Sequence, residues 1–269
     1  MTEERTILVT GATDGVGRRV VERLAAPGVH LLVHGRSTDR GKAVTGHVER
    51  AGGSATFLEA DFDSLAEVRA LAERVRAEHP HLDVLVCNAG ISEPDGPRKV
   101  TKDGHERHLG INYLAHFLLT HLLLPRLGAR RPSRVVNVVS AAQDALDFDD
   151  LMLEHGYNGY RAYGRSKVAQ AMLTLDLAEE HAGAGITAHC LHPGTHLDTT
   201  MVRRAGISPA GSADSGAEAV VALTTPDDTT GGYFNVRRPS RAHPQVYDRE
   251  ARRTLRTVSL RLAGLDHSA

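Results

Sequence analysis

The sequence holds only two cysteines, Cys87 and Cys190. Two thiols are too few for a disulfide-stapled secreted fold or a cysteine-rich zinc site, so they read as buried small hydrophobes in a reducing, cytoplasmic setting. An excess of one charge sign is missing too: 32 basic and 33 acidic residues leave a net charge of -1, without a long run of either sign. Neither a nucleic acid nor an anionic membrane is therefore expected as a partner. Long hydrophobic runs are also lacking. The most apolar stretch, 114–124, contains His116, Thr120 and His121 and stops at Pro125, short of the roughly 20 apolar residues that cross a bilayer. The opening Met1-Thr2-Glu3-Glu4-Arg5 is polar and runs directly into an apolar strand, so neither a signal peptide nor an anchor is expected. Sixteen histidines are present, but His105, His108, His116 and His121 lack a metal-ligand spacing. No repeat of solenoid length occurs.

What is there is the composition of an ordinary globular chain: 269 residues, 41% hydrophobic and 24% charged. Short β-rich runs at 6–10, 29–33, 55–58, 84–87, 134–139, 186–191 and 232–236 alternate with segments of helical period. Those segments lie at 16–26, 39–51, 64–79, 104–127, 160–181 and 214–223, with a last one near 247–262. The alternation predicts an α/β fold, a doubly wound Rossmann-type sheet of about seven mainly parallel strands with helices on both faces. No composition break divides the chain, so 1–269 is read as a single domain. Residues 141–162 and 195–213, which lack periodicity, are read as loops on the substrate side, and 237–269 as a C-terminal extension.

The first predicted strand ends in Thr10-Gly11-Ala12-Thr13-Asp14-Gly15-Val16-Gly17 and leads straight into a helix. Three glycines alone suit an ordinary strand-to-helix turn as well as a nucleotide site. With a strand before and a helix after, the second reading is favoured. Glycine lets the chain turn tightly and lets backbone N–H groups and the helix N-terminus approach a pyrophosphate. At the end of the second strand stands His34-Gly35-Arg36-Ser37, with no carboxylate until Asp39. An acidic side chain there would bind the ribose hydroxyls of NAD; Arg36 instead suits the 2′-phosphate of NADP through a bidentate contact, so NADP(H) is favoured over NAD(H).

Tyr163 and Lys167 are four residues apart on one predicted helix and so share a face. An ammonium beside a phenol, with an oxidised nicotinamide nearby, favours the phenolate and makes Tyr163 a plausible general acid/base. Ser140, at the end of the fifth strand, is placed to hydrogen-bond a substrate oxygen as its charge changes. Each residue taken singly has a plainer reading: a helix cap, a surface pair, a core amide. Together they point to catalysis.

In order along the chain come the glycine turn, Asp61, Asn88-Ala89-Gly90, Asn112, Ser140, Tyr163-Gly164-Arg165-Ser166-Lys167 and Pro193-Gly194, each at a strand end or on a helix. This series resembles the short-chain dehydrogenases/reductases over almost the whole chain. The resemblance implies that Gly11, Thr13, Asp14, Gly15, Val16 and Gly17 hold the pyrophosphate, that Arg36, Asp61 and Phe62 lie at the adenosine end, and that Asn88, Ala89 and Gly90 border its ribose. It further implies that Pro193, Gly194 and Tyr163 bind the cofactor, that Thr195 holds the nicotinamide amide and Lys167 the ribose hydroxyls, and that Asn112 fixes a water relaying protons to Lys167. Asn112, Ser140, Tyr163 and Lys167 are then the catalytic set, with no metal.

Three positions depart from the family pattern. Cys87 stands where many relatives have a second Asn, and Asp198 where a Thr is common. The connection 141–162 is about twice the usual length, similar to the retinol-dehydrogenase-like branch, as is the tail from Gly231-Gly232-Tyr233-Phe234. Relatives in that branch often carry a membrane anchor that this sequence lacks, so a retinoid substrate does not follow. Phe148, Leu151, Met152, Leu153, Tyr157 and Tyr160, with Met201, Val202 and Ile207, either wall an apolar pocket for a bulky ketone or secondary alcohol or pin their own loops to the core. The expected activity is NADP(H)-dependent reduction of such a ketone or oxidation of the alcohol. An epimerase working through a transient keto intermediate needs the same groups, and a non-catalytic NADP-binding sensor is a third class. The resemblance also implies a homodimer or homotetramer through the two long helices, although burial within one subunit explains their apolar faces equally well.

Overall fold

The computed structural model describes residues 4–225 and 227–265. Met1, Thr2 and Glu3 of the polar opening, and the last four residues of the C-terminal extension, lie outside the described residues.

Strand β1 (Arg5–Val9) feeds α1 (Gly15–Leu24), and β2 (Val29–Gly35), α2 (Thr38–Arg50), β3 (Ser54–Glu59), α3 (Leu65–Glu78) and β4 (Val84–Cys87) follow. A π-helical stretch, Leu109–Leu114, opens α4 (Ala115–Leu127); then come β5 (Ser133–Val138), α5 (Gly159–His181) and β6 (Ile186–His192). Beyond these lie β7 (Leu197–Asp198), α6 (Thr200–Arg204), β8 (Gly211–Ser212), α7 (Ala213–Thr224), β9 (Gly232–Asn235), β10 (Arg238–Ser240) and α8 (Arg249–Leu262). The main sheet has the order β10-β9-β6-β5-β4-β1-β2-β3, parallel throughout except for β10 against β9. This is the doubly wound sheet expected, with one more strand.

The strands read as near-continuous apolar runs because both faces are covered. Ile7 and Val9 enter one core with Leu31 and Val33, while Leu8 enters the other with Leu32, as the two-residue alternation of a strand requires. The strand order reverses between β1 and β4. There the connections leave to opposite faces and open a crevice at the carboxyl ends of the strands.

Four sequence expectations are corrected. Helix 104–127 is not one α-helix. Residues 101–106 form a turn and a bridge, helical winding starts at Arg107, and Gly110 lies so close to Thr101 that a Cβ there would meet Thr101 Cγ2 at 2.5 Å. Apolar period does not separate π from α winding. Strand β10 is the edge, and its Arg-Pro-Ser carries no apolar alternation to reveal it; proline is tolerated there because the outer side has no ladder. The 195–213 loop holds a short helix, α6, and the two-stranded β7–β8 pair. The last helix starts at Arg249, after a 3-10 turn at Pro244–Tyr247.

α8 lies across α5. Arg252 donates to Asp176 and Glu179, each at 2.8 Å, Arg256 pairs with Glu180, and Ser259 Oγ meets the Tyr113 hydroxyl at 2.8 Å. Among the described residues no helix is long and apolar enough to cross a membrane.

Candidate active site

The glycine turn is shaped by close approach. Gly11 has φ +62°, and a Cβ on it would come within 2.8 Å of Ala89 Cα; a Cβ on Gly17 would run into Gly11 O and Asn88 Nδ2. Gly35 lets Thr13 close in, its missing Cβ falling 2.5 Å from Thr13 Cγ2. Thr10 Oγ1 accepts the N–H groups of Asn88 at 2.8 Å and Ala89 at 2.9 Å, locking the β1 turn to the end of β4. Asn88 Nδ2 donates to Thr10 O at 2.9 Å, so the amide of this residue is spent on the turn. Asp14 caps α1, accepting the Gly15 N–H at 2.7 Å.

Two histidines support the turn from below. His34 Nδ1 accepts the Gly11 N–H at 3.2 Å, and its Nε2 donates to Ala60 O at 3.1 Å. Burial pushes His34 down to about 4 and His116 to about 3, so both rings are neutral near pH 7. Phe62 is buried between them, stacked on His34 at 4.3 Å and edge-on to His116 at 5.3 Å.

Past the end of β2, Arg36 Nη1 lies 3.7 Å from Asp61 Oδ1. Arg40, from the first turn of α2, reaches Asp14 Oδ2 at 3.4 Å. Sequence reasoning found Arg36 and missed Arg40; the available signal was Ser37, whose side chain caps α2 by accepting the Arg40 N–H at 3.5 Å and so places Arg40 beside the turn. At the other end, Thr195 Oγ1 is 3.1 Å from His192 Nε2, with Gly194 at φ +135° before it. Val16 packs against Gly216 of α7, and Thr199, ahead of α6, stands over Gly15, whose absent Cβ would be 3.1 Å from Thr199 Cγ2. Residues of 195–213 and of α7 thus lean onto the glycine turn.

The four residues predicted to catalyse meet at the ends of β4 and β5. Lys167, 5% exposed, donates to Val138 O and Gln170 Oε1, each at 3.0 Å, and stands 5.8 Å from the Tyr163 ring centre. Burial pulls its ammonium down to about 8. Burial also raises the Tyr163 phenol above its ordinary value, opposed by a hydrogen bond with the Ser140 side chain. The phenol is therefore not made acidic by Lys167 alone, because the lysine's own charge is desolvated and its donors are committed elsewhere. Asn112 accepts the Ile91 N–H at 2.8 Å and donates to Ile91 O at 3.0 Å and Ser166 Oγ at 2.9 Å. Gly90 fits beside it, where a Cβ would be 3.1 Å from Asn112 Oδ1 and 3.7 Å from Lys167 Nζ. Gln170 and Ser166 were also missed; Gln170 lies one turn beyond Lys167, a spacing the sequence does show.

Of the candidate pocket wall, Phe148, Leu151 and Met152 pack against the core and Leu153 is buried within it. Tyr160 is 62% exposed and Met201 36%. The arrangement offers a buried proton donor, a neighbouring hydroxyl and a cation, with a glycine cradle at the switch point.

A family model described as short chain dehydrogenase matches residues 5–208. The chain belongs to that family. Retinol dehydrogenase 11 of Homo sapiens is 37% identical over 203 residues, covering 74% of this short-chain dehydrogenase and 63% of that protein. Retinol dehydrogenase 13 of Homo sapiens is 32% identical over 285 residues, covering 97% and 85%. The chain therefore spans less than two thirds of the first relative's length and most of the second's. Among solved structures, an uncharacterized protein from Mycobacterium paratuberculosis superposes with a TM-score of 0.80 at 28% identity, over 97% of this chain and 94% of that one. The Pseudomonas aeruginosa RhlG/NADP active-site complex gives 0.71 at 26% identity, over 87% and 95%.

Proposed function

We propose that this short-chain dehydrogenase is an NADP(H)-dependent ketoreductase or alcohol dehydrogenase acting on a bulky, mostly apolar ketone or secondary alcohol. The observation that carries the reading is the half-buried Tyr163 phenol, whose raised pKa the nearby Ser140 side chain opposes, with Lys167 Nζ 5.8 Å from its ring on the same helix. A bound nicotinamide would accept or deliver the hydride. In the direction of reduction, Tyr163 arrives protonated because burial holds its proton, and donates it to the substrate oxygen. Ser140 donates a hydrogen bond to that oxygen as negative charge grows. Lys167, charged below about pH 8, steadies the phenolate left behind. Asn112 braces Ile91 and Ser166, the neighbours that keep Lys167 and Gly90 in register.

The residues present suit a dinucleotide. At Gly11 and Gly17 a Cβ would run into Ala89, Asn88 Nδ2 and Gly11 O, so glycine keeps the turn tight enough for its backbone N–H groups to face a pyrophosphate. Arg36 and Arg40 provide two guanidinium groups for a 2′-phosphate, and His192 orients Thr195 toward a nicotinamide amide. The RhlG relative binds NADP, and the named relatives are dehydrogenases of retinol, an apolar alcohol. Exposed Tyr160 and Met201 are the candidates for meeting such a substrate at the mouth.

We read 1–269 as one catalytic domain, since eight strands between Arg5 and Ser240 share one sheet. A cytoplasmic location suits its two buried free thiols. A homodimer or homotetramer through α4 and α5 must accommodate α8, which already lies across α5. The deciding experiment measures NADPH oxidation with a panel of ketones. Tyr163→Phe is expected to lower kcat by about 10²–10⁴ while the Kd for NADPH stays within about twofold. Turnover that survives the substitution removes the assignment.

A further inference from the structure

Beside Tyr163 lies a buried acid–imidazole pair that none of the steps above uses. Glu106 and His108 are each 1% exposed. Glu106 Oε2 accepts the Leu109 N–H at 2.8 Å. Its Oε1 accepts the His108 N–H at 3.1 Å, the His108 Nδ1–H at 3.0 Å and the Tyr157 hydroxyl at 3.4 Å. On the far side of the ring, His108 Nε2 accepts the Glu93 N–H at 3.0 Å. A backbone N–H can only donate, so Nε2 carries the lone pair and the proton sits on Nδ1, facing the carboxylate. Burial pushes the Glu106 carboxyl up, but the hydrogen bonds it accepts outweigh this and hold it below the ordinary carboxylate range.

Three contacts of this pair lead toward Tyr163 and the start of its helix. The His108 ring stands edge-on to the Tyr163 ring, centroids 6.3 Å apart at 83°. Glu93, held by His108, lies under the start of α5, where a Cβ on Gly159 would meet Glu93 O at 2.6 Å. Tyr157, held by Glu106, ends the long connection two residues before that helix begins. Apolar side chains of similar volume would fill the same space without desolvating a carboxylate.

We propose that Glu106 and His108 are positioning residues for Tyr163: Glu106 sets the plane of the His108 ring, and His108 fixes both the Tyr163 ring and the Glu93 backbone beneath α5. The assignment rests on the reading of Tyr163 as acid/base. His108→Ala removes the wall and both hydrogen bonds; kcat for ketone reduction is expected to fall about tenfold to a hundredfold, with KM and the Kd for NADPH within about twofold. The midpoint of the Tyr163 titration, followed by NMR in 13C-tyrosine-labelled protein, is expected to move. His108→Gln can still donate to Glu106 and accept from Glu93, and is expected to recover kcat to within about threefold of the parent. If the alanine variant does not fold, His108→Phe, which keeps the ring but neither hydrogen bond, decides by the same two readouts. Unchanged kcat with an unmoved titration overturns the proposal, as does a loss of NADPH affinity in step with kcat that glutamine does not restore. Full turnover in Tyr163→Phe would sink the acid/base reading instead, and the titration, which needs no turnover, would still report on positioning.

Discussion

At the glycine turn, the groups that hold the chain come from the ends of neighbouring strands: Thr10 from β1, His34 from β2, Asn88 from β4. The connection 141–158 is anchored from elsewhere. Gln245 of the C-terminal extension brackets Leu146, donating to its carbonyl at 2.9 Å and accepting from its N–H at 2.7 Å. Arg98 donates to Met152 O at 2.9 Å, Arg165 to Asp150 O at 3.0 Å, and Tyr157 to Glu106. One side of the crevice is a turn held by adjacent strand ends, with no room for a Cβ at Gly11 or Gly17. The other is a long excursion tied at a few points, with Tyr160 and Met201 left facing solvent.

The contrast breaks most visibly in acid. Folded His34 stays neutral down to about pH 4, whereas an unfolded histidine binds its proton near 6.5. The unfolded chain therefore holds more protons between these values. The stability due to His34 is complete above pH 6.5 and is lost as pH falls toward 4, by about 3 kcal/mol. His34→Gln, which can accept from Gly11 and donate to Ala60, should lose that much less between pH 7 and pH 4 in urea titrations; equal losses would clear His34 of the effect. Gly17→Ala forces a methyl against Gly11 O and Asn88. It should cost about 1–3 kcal/mol of stability and at least about tenfold in NADPH affinity, read by calorimetry and fluorescence titration. Arg36→Ala and Arg40→Ala should each raise KM for NADPH by about tenfold while KM for NADH stays within about twofold. An unchanged ratio for both would return the coenzyme preference to NADH. On the substrate side, Tyr160→Ala should leave the melting temperature unmoved and alter KM for a bulky apolar ketone by less than about threefold, because the ring is mostly in solvent. A large stability loss there would mean that the mouth is as tightly built as the turn.

Much of this was legible before any coordinates. Runs such as Ile7-Leu8-Val9 are apolar at successive positions because both faces of a parallel sheet are covered, so the strands and their order along the chain could be read directly. The glycine turn and the Tyr163–Lys167 spacing were legible for the same reason: each is a local pattern whose geometry follows from strand or helix period. Arg40 was missed because its meaning depends on how α2 leaves the sheet. Glu106 carries no local signal and His108 only the lack of a metal-ligand spacing; their place is set by Tyr157 and Tyr163, which the fold brings beside them. The phenol's shift went the other way from expectation, since spacing shows that Lys167 is near but not that both groups are desolvated.

The amino-acid order by itself determined the alternation of strands and helices, the cradle of glycines and the shared face of Tyr163 and Lys167, because backbone periods act over a few residues. Tertiary structure alone decided which distant groups brace the substrate side and how far burial moves each titrating group. Those depend on contacts such as Leu146 with Gln245, 99 positions apart, and on the exclusion of water, neither of which any local window of sequence contains.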